Sequence, residues 1–219
     1  MNFKDTLWLK WFVVLHFFSM NVSYSAPSIT APLTSSDSVV ILMYHNISDD
    51  AAPSTSVTPA TFKKHMQYLA DNGFSIWPLS RILQHIISHK PFPPKTVVLT
   101  FDDAYSSVYS QAFPLLKEKG WPFTVFVTTQ YIDGNASSFM NWKQLQEIQI
   151  SGGEIGNHSL SHSHLIRQQK FETEKQWKLR VSSEINQAQA ILQQNISSPL
   201  KAFAYPYGEY SKAIKDIVK

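Results

Sequence analysis

From Val39 onward the chain alternates two kinds of hydrophobic pattern. Short runs rich in β-branched and aromatic residues stand at 39–44, 96–101, 123–128, 154–157 and 200–205, and have the length of buried strands. Between them, apolar positions recur at helical spacing over 59–72, 80–89, 107–119, 142–150 and the long polar stretch 171–194. Gly73, Gly120 and Gly152 follow three of these segments, where a left-handed residue closes a helix. Strand, helix, strand in repetition predicts an α/β fold with a parallel sheet or barrel, one domain over 39–219. The last stretch, EYSKAIKDIVK, reads as a helix with no strand after it, so the barrel is expected to be incomplete at its C-terminal side.

The first residues read differently. Lys4 and Lys10 precede an apolar run over 11–20, and the small residues around Ser23, Ser25 and Ala26 suit a cleavage site. That run falls well short of the ~20 residues a transmembrane helix needs. The expectation is a signal peptide at 1–25, with an uncleaved anchor as the alternative, followed by a Ser-, Thr- and Pro-rich linker at 26–38. The protein is then exported, periplasmic or extracellular, with no stable membrane span beyond the signal segment. The chain has no cysteine, so an exported form relies on its core rather than on disulfides. With 43% hydrophobic and 13% aromatic residues such a core is available. The formal charge of +3 falls to +2 when Lys4, Lys10 and Asp5 are set aside. No basic stripe is present, which argues against a nucleic-acid partner.

Parallel α/β folds gather their chemistry where strands end, and the polar punctuation here follows that rule. VVILMYHNI ends in His45, VVLTFDDAY in Asp102 and Asp103, EIGNHSLSH in Asn157 and His158, and AFAYPYGEY in Tyr207 and Gly208. One carboxylate and two imidazoles make a metal-ligand set with positions left open for water and substrate. His158 and His162 are four apart and face one point if their loop turns helically. Adjacent carboxylates at a strand end point to different sides, so one can ligate while the other stays free as a base. Singly these signals are weak. An Asp pair after a strand is commonly a helix cap, and the Glu of an HExxH zincin is missing. His65, His85 and His89 fall in helical segments and are expected on solvated faces. The convergence of several such groups on one rim is what points to a metal centre, and the donor set suits zinc, cobalt or nickel.

TFDDAY, HSLSH followed by SHL, and YPYG resemble the first three motifs of the polysaccharide deacetylase family, the carbohydrate esterases that share the NodB homology domain. The resemblance runs from Val39 to the C-terminus and implies a (β/α) barrel with one divalent metal ion, zinc above others. It implies Asp103, His158 and His162 as ligands and Asp102 as general base, whereas His164 matches no ligand position. The implied reaction is metal-assisted hydrolysis of an N-acetyl group with release of acetate. A backbone N–H near Tyr207 would hold the oxyanion. Tyr105, Trp142, Tyr205 and Tyr207 offer faces for a sugar ring, beside an ordinary role in packing.

The match has departures. Ala204 stands where the third motif usually carries Arg, and the later Leu-x-x-His motif has no counterpart, the chain stopping eleven residues after Gly208. The proton for the leaving amine must then come from elsewhere on the rim, and His45 is the candidate. ILMYHNI and FAYPYGEYS resemble the branch that includes exported poly-β-1,6-N-acetylglucosamine deacetylases, where the Arg is commonly absent. The expected substrate is therefore a β-linked N-acetylglucosamine polysaccharide, an exopolysaccharide ahead of peptidoglycan or chitin. A carbohydrate-binding pseudoenzyme and a metal-dependent amidase are the alternatives. Sequons at Asn21, Asn46, Asn135, Asn157 and Asn195 read as chance, because a glycan on Asn157 would obstruct the site.

Overall fold

A computed structural model describes residues 38–133 and 137–219. The signal peptide expected at 1–25, nearly all of the linker at 26–38, and the sequons at Asn21 and Asn135 lie outside the described residues.

The principal sheet is parallel throughout. It contains β1 (Val40–Tyr44), β4 (Ser75–Ile76), β5 (Thr96–Phe101), β6 (Thr124–Val127) and β7 (Glu154–Asn157). Strand β1 pairs along the length of β5, from Val40 opposite Val97 to Tyr44 opposite Phe101. On its other side β5 meets β4 at its start and β6 at its end. Strand β6 then pairs with β7, Val127 opposite Asn157. A separate pair, β2 (Asn46–Ile47) and β3 (Ser56–Val57), folds the loop after His45. Every residue of β5 and β6 is buried, as expected of central parallel strands covered on both faces, and this is why their sequences are continuously apolar rather than alternating.

The helices lie on these strands through recurrent apolar stripes. Helix α1 (Pro59–Asp71) starts at Thr58, whose side chain accepts from the Thr61 N–H, with Pro59 at the first turn. It buries Phe62, Met66 and Leu69. Helix α2 (Leu79–Ile87) covers the opposite face of the sheet, where Trp77, Leu79, Ile82 and Phe92 pack on Val98 and Phe126. A π-helical turn at Val108–Ala112 leads into α3 (Phe113–Glu118), and the short α4 (Thr129–Asp133) follows β6. Helices α5 (Trp142–Ile150) and α6 (Glu174–Asn195) each begin with a capping box, Asn141 with Gln144 and Thr173 with Gln176. The polar sequence of α6 hides one apolar stripe, Trp177, Val181, Ile185, Ala188 and Leu192, and all five are buried. Each large side chain of that kind contributes roughly 1.5–3 kcal/mol when fully buried. Helix α7 (Lys212–Val218) seats Ile214 against the Trp177 end of α6.

Most expected elements are present, and Gly73, Gly120 and Gly152 do close helices at φ of 65°, 62° and 94°. Three differences have physical reasons. Residues 200–205 form no strand. They meet β7 through a single parallel bridge, Asn157 with Phe203, and through the Leu200 N–H to Ile155 and Ala204 N–H to Asn157 bonds. The sheet is accordingly not closed into a barrel among the described residues, and Val40 and Met43 on β1 are 41% and 40% exposed. Finally, two helical histidines are only half-exposed and make contacts of their own. His65 Nδ1 bonds the Tyr44 hydroxyl at 3.1 Å, and His85 packs between Trp77 and Phe92 with Nδ1 3.1 Å from the Pro91 carbonyl. Only His89 is exposed as expected.

Candidate metal centre

Strands β5 and β7 flank β6 and end at the same edge of the parallel sheet, and their following loops are held in unusual backbone shapes. Asp103 and Ala104 have φ of 70° and 63°, and Ser159 and His162 have 73° and 58°. The left-handed region is uncommon for residues with a side chain and tends to persist where surrounding contacts enforce it. The enforcing contacts are visible. The Ala104 carbonyl accepts from the Met140 N–H at 2.9 Å. Buried Asn157 accepts from the Ser159 N–H at 2.8 Å and donates to the Ile185 carbonyl at 3.0 Å. The Ser159 hydroxyl in turn accepts from the His162 N–H at 3.0 Å. Glu184 of α6 accepts from the Ser161 N–H and hydroxyl at 3.0 and 2.7 Å. The loop between the two histidines therefore does not turn helically, as their spacing had suggested. His158 and His162 converge because Asn157, Ser159 and Glu184 fold the loop back.

The result is a cluster of Asp103, His158 and His162 whose candidate ligand atoms lie within 4.8 Å of one another. Asp103 Oδ1 is 3.5 Å from His158 Nε2 and 3.3 Å from His162 Nε2. These are not ordinary ion pairs. His158 is 1% exposed, and burial, with His162 and His45 nearby, pushes its pKa down to about 3, so the ring is neutral. Its Nδ1 faces the Ala204 carbonyl at 3.0 Å. A carbonyl can only accept, so the proton sits on Nδ1 and the Nε2 lone pair faces Asp103. The buried Asp103 Oδ1 has no hydrogen-bond partner. The His158 Nε2 lone pair and this unpartnered carboxylate oxygen converge there beside His162 Nε2, an arrangement that a divalent cation satisfies and that costs free energy otherwise. The residues present fit a divalent metal.

The remaining rim groups surround this centre. Asp102 is buried, and desolvation followed by the Asp103 charge pushes its pKa up to about 8. Burial also raises Asp103, against the pull of His162 and His45. His45 is half-buried after β1, close enough for its charge to act on both Asp103 and His158. Tyr207 sits in the turn Pro206–Gly208 at φ 59° and is 57% exposed. Its ring lies edge-on to His162, centroids 4.5 Å apart. From His162 a line of rings also runs through Tyr131 at 6.5 Å, then Phe139 at 4.5 Å from Tyr131 and Tyr105 at 5.1 Å from Phe139. The Asp103 charge acts on both Tyr105 and Tyr131, whose hydroxyls are raised by burial first. The other two expected sugar contacts, like Tyr105, are half-buried against apolar clusters. Trp142 packs against the main core, and Tyr205 against the cluster of Leu165, Trp177 and Ile214.

Several contributors carry no mark in the sequence. Ala204 acts through its backbone oxygen, Glu184 from the middle of a polar helix, and Tyr131 and Phe139 from a loop with no motif. Only Asn157 had a signal, its place at a strand end.

A parallel α/β sheet with an Asp-His-His cluster at its strand ends is the arrangement expected from the resemblance to the polysaccharide deacetylases. A family model described as polysaccharide deacetylase matches residues 89–219, more than half of the chain, and the chain belongs to that family. It is 24% identical over 216 residues to a poly-β-1,6-N-acetyl-D-glucosamine N-deacetylase of Escherichia coli, an alignment covering 82% of this chain and 32% of the relative. A Staphylococcus aureus protein of the same name is 26% identical over 157 residues, covering 70% of this chain and 54% of the relative. The chain thus spans between a third and about half of the length of these relatives. Among solved structures, a de-N-acetylase from Aggregatibacter actinomycetemcomitans has a TM-score of 0.73 at 21% identity, covering 82% of this chain and 83% of the other. IcaB from Ammonifex degensii has 0.72 at 24%, covering 84% and 80%. These likenesses establish the fold.

Proposed function

We propose that the protein removes N-acetyl groups from a β-linked N-acetylglucosamine polysaccharide, poly-β-1,6-N-acetylglucosamine ahead of others, and releases acetate. One observation carries this reading: in a chain of this family, candidate ligand atoms of Asp103, His158 and His162 converge around an unpartnered buried carboxylate oxygen, beside the exposed ring of Tyr207. We assign zinc as the ion, with cobalt and nickel also suited to the donors. When bound, it supplies polarisation of the acetamide carbonyl and acidification of the attacking water. Asp102 takes the proton from that water. Its carboxyl is raised by burial and by Asp103, and a cation at the Asp103 centre acts in the opposite direction, returning Asp102 toward the ionised form that a base needs. His45 gives the proton to the departing amine, and the Tyr207 backbone N–H stabilises the oxyanion. Tyr105 and Tyr207, joined by Tyr131 and Phe139, present ring faces to the sugar. Trp142 and Tyr205, each half-buried against an apolar cluster, offer further faces.

With a signal peptide at 1–25, a linker at 26–38 and the deacetylase domain at 39–219, the protein acts in the periplasm or outside the cell. The test is acetate release by metal-loaded protein from β-1,6- and β-1,4-linked N-acetylglucosamine oligomers. Release from the β-1,6 series above the β-1,4 series is expected. Oligomer binding without acetate would replace this reading with the pseudoenzyme, and turnover confined to small amides would replace it with the amidase.

A further inference from the structure

His164 stands outside the metal cluster, yet it is not a solvated bystander. Its ring stacks on the Tyr207 ring with centroids 3.9 Å apart and planes 16° from parallel. Its Nδ1 is 2.8 Å from Glu209 Oε2, and the other oxygen of that carboxylate meets Arg167 Nη2 at 3.4 Å. Tyr207 therefore stands between two imidazoles, face to face with His164 and edge-on to His162 at 4.5 Å. Its backbone is left-handed at φ 59°, a conformation a tyrosine does not hold without outside contacts. The turn that carries it is only three residues long, and 57% of the residue is open to solvent.

We propose that His164 and Glu209 are positioning residues that clamp Tyr207 against the metal-binding His162 and so fix the substrate-facing wall of the site. Glu209 fixes the orientation of the His164 imidazole through Nδ1, and the imidazole face sets the plane of the Tyr207 ring. The clamp links the second motif to the third, because His164 follows HSLSH while Glu209 follows YPYG. It also explains why a third histidine sits so close to the centre without facing it, since Nδ1 points to Glu209. The catalytic consequence rests on the reading that Tyr207 meets the sugar. The clamp itself does not.

The experiment uses His164→Ala, His164→Phe and Glu209→Gln in the full chain, with 3-fluorotyrosine placed at position 207. Stacked ring pairs are worth enough to shift binding by roughly threefold to tenfold. His164→Ala is expected to raise KM for an N-acetylglucosamine oligomer by that factor while bound metal stays near wild type. His164→Phe, which keeps a stacking face without the Glu209 bond, is expected to recover part of the loss. The fluorine signal of Tyr207 is expected to broaden or shift toward the free-tyrosine position in His164→Ala. Combining His164→Ala with Glu209→Gln should add little to either change alone, because both cut one chain of contacts. An unchanged fluorine signal in His164→Ala would overturn the clamp whether or not the protein is an enzyme. Loss of metal in that variant would overturn it too, by making His164 a ligand. Wild-type protein that releases no acetate, with the fluorine response intact, would leave the clamp standing and remove the deacetylase reading.

Discussion

Asn157 offers a demanding test, because one side chain ties the metal loop to the longest helix. It is 2% exposed. Its Oδ1 accepts from the Ser159 N–H at 2.8 Å, and its Nδ2 donates to the Ile185 carbonyl at 3.0 Å and to Gln189 Oε1 at 3.2 Å. Asn157→Ala strands the N–H of a fully buried Ser159, which costs about 1–3 kcal/mol, and forfeits the bonds to α6 at about 0.5–1.5 kcal/mol each. The Ile185 carbonyl keeps its place within α6 and Gln189 is half-buried, so the prediction is a total of about 3 kcal/mol. For a domain of this size that lowers Tm by about 6–12 °C. Asn157→Asp is expected to be no better, since it aims a carboxylate at the Ile185 carbonyl. The assay is thermal unfolding of chelator-treated protein, followed by titration with zinc. Metal affinity should weaken about 10- to 100-fold, because Ser159 also holds the His162 backbone. A Tm drop below about 2 °C with affinity unchanged would refute the argument that this amide builds the loop.

Other outcomes follow from the same contacts. A Cβ at Gly156 would stand 2.7 Å from the Phe126 ring, so Gly156→Ala should destabilise by about 1–3 kcal/mol in denaturant titration, and Phe126→Leu should relieve part of that. His45→Ala should lower kcat on the order of 10²-fold with metal content intact, and near-wild-type acetate release would remove His45 from the mechanism. Zinc at a hundredfold excess over its Kd should stabilise the fold by about 2.7 kcal/mol, an increase absent in Asp103→Ala when both are followed by thermal unfolding.

The sequence carried the site's ligands more clearly than its supports. Strand β5 and helix α5 fall at the expected residues because a continuous apolar run and a well-capped amphipathic stretch are local properties. Asp102, Asp103 and His158 follow from strand ends for the same reason. The Ser75–Ile76 strand has only two residues and no period to recognise. Residues 200–205 are apolar enough for a strand but bridge to β7 at Phe203 alone, with separate backbone bonds at Leu200, Ala202 and Ala204, a long-range outcome that no local pattern encodes. A four-residue spacing brings His158 and His162 together if their loop turns helically, whereas they converge through left-handed Ser159 and His162, which depend on Asn157 and Glu184. The Ala204 carbonyl that sets the His158 tautomer belongs to a residue whose side chain says nothing about it.

The central claim is that Asp103, His158 and His162 hold one divalent ion that the rest of the rim uses. Its most direct test is metal content per chain, measured by elemental analysis on purified protein after equilibration with limiting zinc. The account predicts about one ion per chain in wild type and in His164→Ala, and below about a tenth of that in the His158→Ala, His162→Ala double variant. Equal metal in wild type and in that double variant would contradict it.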